Sequence, residues 1–303
     1  MKISIVGMGK VGSTLAYALT LKGSAKELVL IGRDRNALIG EALDLDHAQS
    51  FIAAPARIRA GELKDAGNSD IIVISASVPT PASMTDRATL GPDNVQLFRT
   101  ILPELAKRAP EAILLILSNP VDVLTYYAIQ LTGFPASRVI GSGTFIDSAR
   151  FRRMLSEDVG IHTDDLRAYV LGEHGPSQFA AWSVATAGGE RIEESPARRK
   201  MFQEAAAAGI TIFKHKGYTN YGIAQAAAAI VESIALDEKH TVPVSTLIDG
   251  YLGVNDVCLS LPVVLGRNGI ERVLHPPLNT EESLAFRNCA ESVRRQIDAC
   301  SKT

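Results

Sequence analysis

Three stretches hold side chains suited to moving protons or gripping anions. Residues 171–183 read LGEHGPSQFAAWS and set His174 between Glu173 and Gly175. An imidazole titrates near working pH, so it can take a proton and return it within one turnover, help that contributes roughly 10²–10⁴-fold. Residues 141–152 read GSGTFIDSARFR, with Asp147 and Arg150 three positions apart. That spacing suits a plain helical ion pair as well as a functional one, and His174 would also suit a core position with its hydrogen bonds met. Residues 117–125 read LSNPVDVLT, where Asn119 and Pro120 turn the chain after an apolar run.

A fourth stretch suits phosphate. Gly7, Met8, Gly9, Lys10, Val11 and Gly12 read GMGKVG between an apolar run and a helical pattern. In that setting the first glycine permits a tight turn, the second lets a pyrophosphate approach the backbone, and the third lets helix and strand pack closely. The helix N-terminus then offers free N–H groups and a positive dipole end to the phosphates. A dinucleotide is expected here; a tight turn without ligand is the plainer alternative.

The elements that must position these residues alternate. Residues 3–6, 28–31, 71–76 and 112–117 are short apolar runs, the pattern of strands buried on both faces of a parallel sheet. Helical patterns lie between them at residues 10–22 and 37–51, and at 94–108, where Pro103 should kink the helix. The order predicts a doubly wound α/β fold. After about residue 142 the pattern shifts: a short strand at 168–171, an alanine-rich helical region at 203–240 interrupted near Gly217, a hairpin of 257–265 and 270–273 around Asn268-Gly269, and a closing helix at 280–302. We expect a dinucleotide-binding domain at 1–141 and an α+β substrate domain at 142–303.

Composition sets bounds. Among 303 residues, 46% are hydrophobic and 21% charged, with a formal net charge of −2. No basic field points to nucleic acid, and no polybasic run points to a membrane surface. No stretch approaches the ~18 apolar residues of a membrane span, and MKISIVG is too short for a signal peptide, so a cytoplasmic protein is expected. Cys258, Cys289 and Cys300 lack metal-ligand spacing; Cys289, Val293, Ile297 and Cys300 share one helical stripe and suit the core. No metal is expected.

Together, GMGKVG, LSNPVDVLT, GSGTFIDSARFR, LGEHGPSQFAAWS and LGRNGIE at 265–271 resemble the L-lactate/malate dehydrogenase family over nearly the whole chain. SQFAAWS, and KGYTNYG at 216–222, look closest to its L-2-hydroxyisocaproate dehydrogenase branch. The resemblance implies an N-terminal Rossmann sheet and hydride transfer between a nicotinamide cofactor and a 2-hydroxy or 2-oxo acid. It makes His174 the proton carrier, with Asp147 holding the imidazole's other nitrogen and Arg150 clamping the substrate carboxylate through its planar fork. Asn119 would stand beside the nicotinamide and the reacting oxygen, and Thr219 in the substrate pocket. Ser77, Asn94 and Leu117 would join the glycine loop and Asn119 around the cofactor.

The same resemblance reads residues 78–94, VPTPASMTDRATLGPDN, as a mobile lid whose Arg87 polarises the substrate carbonyl on closing. Substrate preference is read largely at the lid position that falls on Thr80. With Pro81, Ala82 and Ser83 after it, the lid offers no charge for a second carboxylate, so oxaloacetate and malate are disfavoured. Small residues there leave room for a bulky apolar side chain, a 2-hydroxyisocaproate-like substrate, with L-lactate as the alternative. Pro176 stands where relatives commonly have aspartate. Arg152 and Arg167 lie near positions where some bacterial members bind a phosphorylated sugar, although two surface arginines are also ordinary solvated residues.

Cofactor choice turns on LVLIGRDRN at 28–36. NAD-using relatives end this strand in an aspartate that binds the adenosine ribose; here the position is Gly32, 20 residues after Gly12. Glycine removes the repulsion of a 2′-phosphate, and Arg33, with Arg35, would pair with it, so NADP is expected ahead of NAD. The alternative is a turn of solvated arginines with Asp34 serving NAD. Other classes fit less well. None of the seven tyrosines has a lysine four residues on, as a short-chain dehydrogenase requires. A D-2-hydroxy acid dehydrogenase carries its glycine loop mid-chain, and NAD-requiring glycosidases place cysteine and histidine ligands near the nicotinamide. A non-catalytic dinucleotide sensor would not need His174, Asp147, Arg150 and Arg87 together. Family members are usually dimers or tetramers, so a homo-oligomer is expected.

Overall fold

Apolar runs too short for helices become strands with both faces covered. In the computed structural model, which describes residues 1–79 and 87–301, these are β1 (Lys2–Val6), β2 (Glu27–Ile31), β3 (Arg57–Gly61), β4 (Ile71–Ile74), β5 (Ile113–Ile116) and β6 (Val139–Gly141). They pair in parallel in the order β3-β2-β1-β4-β5-β6. That is the doubly wound Rossmann order, with its reversal between β1 and β4, where such sheets bind ligands at their strand C-termini. Helices α1 (Lys10–Lys22), α2 (Arg35–Ala48), α3 (Gly91–Arg108) and α4 (Val121–Thr132) make the crossovers. Gly23, in the left-handed region at φ 65°, ends α1, and the Asp34 carboxylate caps α2 by accepting the N–H groups of Asn36 and Ala37.

The second half adds α5 (Phe145–Val159), the short strands β7 (Leu166–Arg167), β8 (Val170–Leu171), β9 (Phe179–Ala180), β10 (Thr186–Ala187) and β11 (Glu190–Arg191), then α6 (Pro196–Lys216) and α7 (Tyr221–Leu236). Last come β12 (His240–Asp249), β13 (Asn255–Gly266), β14 (Gly269–Val273) and α8 (Thr280–Ser301). β12 joins β6 antiparallel through Ser245 and Gly141, so β12, β13 and β14 extend the parallel sheet to nine strands. The core lies on both faces of this sheet. One face packs Phe98, Leu102, Phe286 and Ile297; the other packs Leu15, Leu19, Ile230 and Ile234.

Three expectations are corrected. The helical region expected at 203–240 begins earlier, at Pro196, because Ser195 accepts the Arg198 N–H as N-cap and proline suits the first turn. It also ends earlier: Asp237 and Lys239 take positive φ, and His240 already opens β12. β3 and β6 escape the apolar-run pattern, β3 because it reads RIRAG at the sheet edge and β6 because it is only three residues long. The 257–273 hairpin forms as expected, with Gly269 at φ 92° after Arg267 and Asn268. Cys289, Val293, Ile297 and Cys300 are all buried.

Candidate active site

Asp147 enters the first turn of α5, and α5 is fixed to the strand that leads to His174. Thr144 Oγ1 donates to the Val170 carbonyl at 2.5 Å, and Ser148 Oγ accepts the Val170 N–H at 2.9 Å. Four residues past Val170, His174 Nδ1 meets Asp147 Oδ2 at 2.5 Å. Asp147 Oδ1 accepts Arg150 Nη1 at 3.0 Å. The carboxylate is 1% exposed, while His174 and Arg150 remain about a fifth open to solvent. Burial alone would push the Asp147 carboxyl up, but the His174 imidazole and then Arg150 outweigh it and hold it below the usual carboxylate value. Gly209 on α6 lies beside the Arg150 guanidinium, where a Cβ would make only ordinary contact, 3.5 Å from Nη1.

Two further acids hold the histidine loop. Asp122 Oδ2 accepts the His174 backbone N–H at 2.7 Å. Glu173 accepts Ser177 Oγ on one oxygen and Gln296 Nε2 of α8 on the other, at 2.6 Å. Neither acid was singled out by motif. The signal for Asp122 was an ionisable residue inside the apolar segment VDVLT. Asn119 is fixed nearby: Asn94, wholly buried, donates through Nδ2 to the Asn119 carbonyl at 2.8 Å and accepts the Val78 N–H at 2.8 Å. Ser77 bonds the same amide, and the Asn119–Pro120 peptide is cis. Leu117 is buried at the end of β5.

The glycine loop fits a dinucleotide. Gly7 lies at φ 103° with its N–H on the Ile31 carbonyl, and a Cβ on it would stand 2.3 Å from the Ala76 nitrogen. A Cβ on Gly12 would stand 2.1 Å from the Gly7 carbonyl, whereas one on Gly9 meets nothing within 4 Å. Two glycines are thus demanded by packing, and the third borders open space of the kind a pyrophosphate would need. Met8 and Val11 are half-buried, and exposed Lys10 stands 5.4 Å from the Tyr218 ring centroid. At Gly32 a Cβ would make only ordinary contact, 3.4 Å from Leu38 Cδ2, so packing does not require glycine. Arg33 is exposed, Arg35 pairs with Glu62, and Asp34 is engaged as the α2 cap.

Thr219 is half-buried in the turn between α6 and α7. That turn is bolted to α1 by Asn220 Nδ2 donating to Thr14 Oγ1 at 2.8 Å, and Gly222 packs against Ile146, the neighbour of Asp147. The Arg87 backbone opens the turn Arg87–Leu90 ahead of α3; its side chain, and Thr80, Pro81, Ala82 and Ser83, lie outside what the structure describes. Arg152 is half-buried, and burial lowers its affinity for the proton, as does nearby Arg167. Pro176 is exposed on the histidine loop, and nothing in the structure explains the proline. Among the described residues no helix is long and apolar enough to cross a membrane.

Comparison with known proteins assigns the family. Residues 1–141 match the family described as lactate/malate dehydrogenase, NAD binding domain, and residues 144–303 match its alpha/beta C-terminal domain. The L-lactate dehydrogenase of Acetivibrio thermocellus is 40% identical over 306 residues, covering 98% of this chain and 96% of its own. That of Thermoanaerobacter pseudethanolicus is 42% identical over 306 residues, covering 98% of both. Among solved structures, a lactate dehydrogenase from a Medee basin deep-sea metagenome library superposes with TM-score 0.94 at 34% identity, covering 99% of this chain and 98% of that one. The minor L-lactate dehydrogenase of Enterococcus mundtii gives 0.93 at 31%, covering 98% of each. The chain belongs to the lactate/malate dehydrogenase family and is a nicotinamide-dependent 2-hydroxy acid dehydrogenase.

Proposed function

We propose that the protein interconverts an L-2-hydroxy acid and its 2-oxo acid, with His174 carrying the proton. The observation that supports this best is the buried Asp147 carboxylate facing both His174 and Arg150. In the reducing direction, Arg150 pairs with the substrate carboxylate and sets its carbonyl before His174. A bound nicotinamide supplies the hydride. His174 gives its Nε2 proton to the carbonyl oxygen, and Asp147, fixed on Nδ1, stabilises the imidazolium beforehand. Arg87, on the closing lid, adds positive charge to that oxygen. Asn119, Thr219 and Thr80 line the substrate, and residues 1–141 act as the nucleotide domain ahead of a substrate domain at 142–303.

For substrate, the curated relatives favour pyruvate and L-lactate. A bulkier 2-oxo acid is the second reading, favoured by the small uncharged residues Thr80, Ala82 and Ser83. A panel of pyruvate, 4-methyl-2-oxopentanoate, phenylpyruvate and oxaloacetate separates them by kcat/KM. Oxaloacetate at the top of the panel overturns both.

The cofactor is held by Gly7, Met8, Gly9, Lys10, Val11 and Gly12 at the phosphates, with Ser77, Asn94, Leu117 and Asn119 toward the nicotinamide. At the adenosine end, side-chain-free Gly32 and exposed Arg33 favour NADP over NAD, and the engagement of Asp34 as helix cap supports the same choice. We also infer a homo-oligomer, a dimer or tetramer: Leu43 on α2, Phe51 just beyond it and Ile210 on α6 are apolar and exposed. Light scattering in solution tests it.

A further inference from the structure

Behind the histidine loop stands a buried acid that the hydride-transfer scheme does not use. Asp122 sits in the first turn of α4, two residues after the Asn119–Pro120 bond, and is 3% exposed. Its Oδ2 accepts the His174 backbone N–H at 2.7 Å, a contact spanning 52 residues of sequence. Its Oδ1 has no hydrogen-bond partner among the described residues, and neither has the buried hydroxyl of Ser245 on β12. Ser245 nonetheless lies close enough to act on the acid. Two buried oxygens left in this way are costly; one proton between them satisfies both, and burial of the carboxyl favours its being carried by the acid.

The surroundings oppose ionisation. Glu173 on the histidine loop is a second carboxyl, Cys258 on β13 and Cys289 on α8 are buried thiols that the acid's charge would push up, and Ser245 is neutral. Of these neighbours, His174 is the group that can become a cation. Burial, only partly offset by nearby Ser245 and by the bond from the His174 N–H, pushes the Asp122 carboxyl up to about 7.

We propose that Asp122 is a positioning residue that holds His174 by its backbone, ties the histidine loop to the Asn119 turn, and bonds Ser245 as a neutral acid. It thereby adds a second titrating group to the site. Below neutral pH the acid keeps its proton and only positions. As pH rises it ionises, and the new anion favours imidazolium at His174. Reduction, which needs that imidazolium, therefore persists to higher pH than it otherwise would.

This inference rests on the reading of His174 as proton carrier, and the test separates the two. Asp122→Asn keeps an acceptor for the His174 N–H and a donor for Ser245 but removes the ionisation; Asp122→Ala removes all three. With the 2-oxo acid that wild type uses best, Asp122→Asn should keep kcat at low pH within about threefold, and the alkaline limb of its kcat/KM profile should move to lower pH by about one unit or less. Asp122→Ala should lose about 10²-fold in kcat, the scale of an ångström-sized misplacement, while keeping KM for the nucleotide. A profile for Asp122→Asn superimposable on wild type, or full kcat in Asp122→Ala, overturns the proposal. Should Asp122→Ala fail to fold, infrared difference spectroscopy of wild type against Asp122→Asn near neutral pH remains. It should show the carbonyl band of one protonated carboxyl, and the absence of that band overturns the neutral acid whatever the role of His174.

Discussion

The Nδ1 of His174 lies 2.5 Å from Asp147 Oδ2, and Asp147 is buried while His174 is partly open. The ring is thus fixed at Nδ1 from inside the protein. The same carboxylate orients Arg150 through its second oxygen, so the proposed proton carrier and anion clamp share one anchor.

Replacing Asp147 by Asn should therefore lower kcat more than it changes KM for the nucleotide. We expect a loss of about 10²–10⁴-fold, the range of general acid–base help, measured under saturating cofactor. Stability carries a second sign. The folded carboxyl titrates below its ordinary value, so its contribution is present above the ordinary carboxylate range and is lost as pH falls through the lowered value. Urea unfolding should show the wild type's advantage over Asp147→Asn shrinking toward acid; a gap that stays constant with pH contradicts this.

Gly9 and Gly12 should separate ligand binding from folding. Gly12→Ala drives a Cβ into the Gly7 carbonyl and should cost about 1–3 kcal/mol in denaturant unfolding as well as cofactor affinity. Gly9→Ala meets open space and should leave unfolding unchanged while weakening nucleotide binding. Equal stability losses in both would contradict the reading of Gly9.

Much of this was legible because the chemistry sits in local motifs. GMGKVG, DSAR and GEHG each carry their residues within a few positions, and the central strands β4 and β5 read IIVI and ILLI, apolar throughout. What escaped lies in contacts between distant segments: Asp122 with the His174 N–H, and Glu173 with Gln296 across 123 residues. β12 escaped for a different reason. HTVPVSTLID carries a proline, which a central strand normally rejects; in the structure Pro243 pairs opposite Pro262 of β13. The register of two prolines is invisible until both strands are placed.

Gly32 offers a test of cofactor choice. Since a Cβ there makes only ordinary contact with Leu38, Gly32→Asp should fold normally. It should lower kcat/KM for NADPH by about 10–100-fold, the range of a lost or opposed charge-assisted contact, and spare NADH. Wild type already preferring NADH would sink the proposed preference before the variant is made.

The most direct measurement is the steady-state rate of pyruvate reduction by a His174→Gln variant, checked for folding by circular dichroism and for intact nucleotide binding by fluorescence. The account predicts a kcat lower by about 10²–10⁴-fold with nucleotide affinity unchanged. A folded His174→Gln protein that reduces pyruvate and the larger 2-oxo acids at the wild-type rate would contradict it.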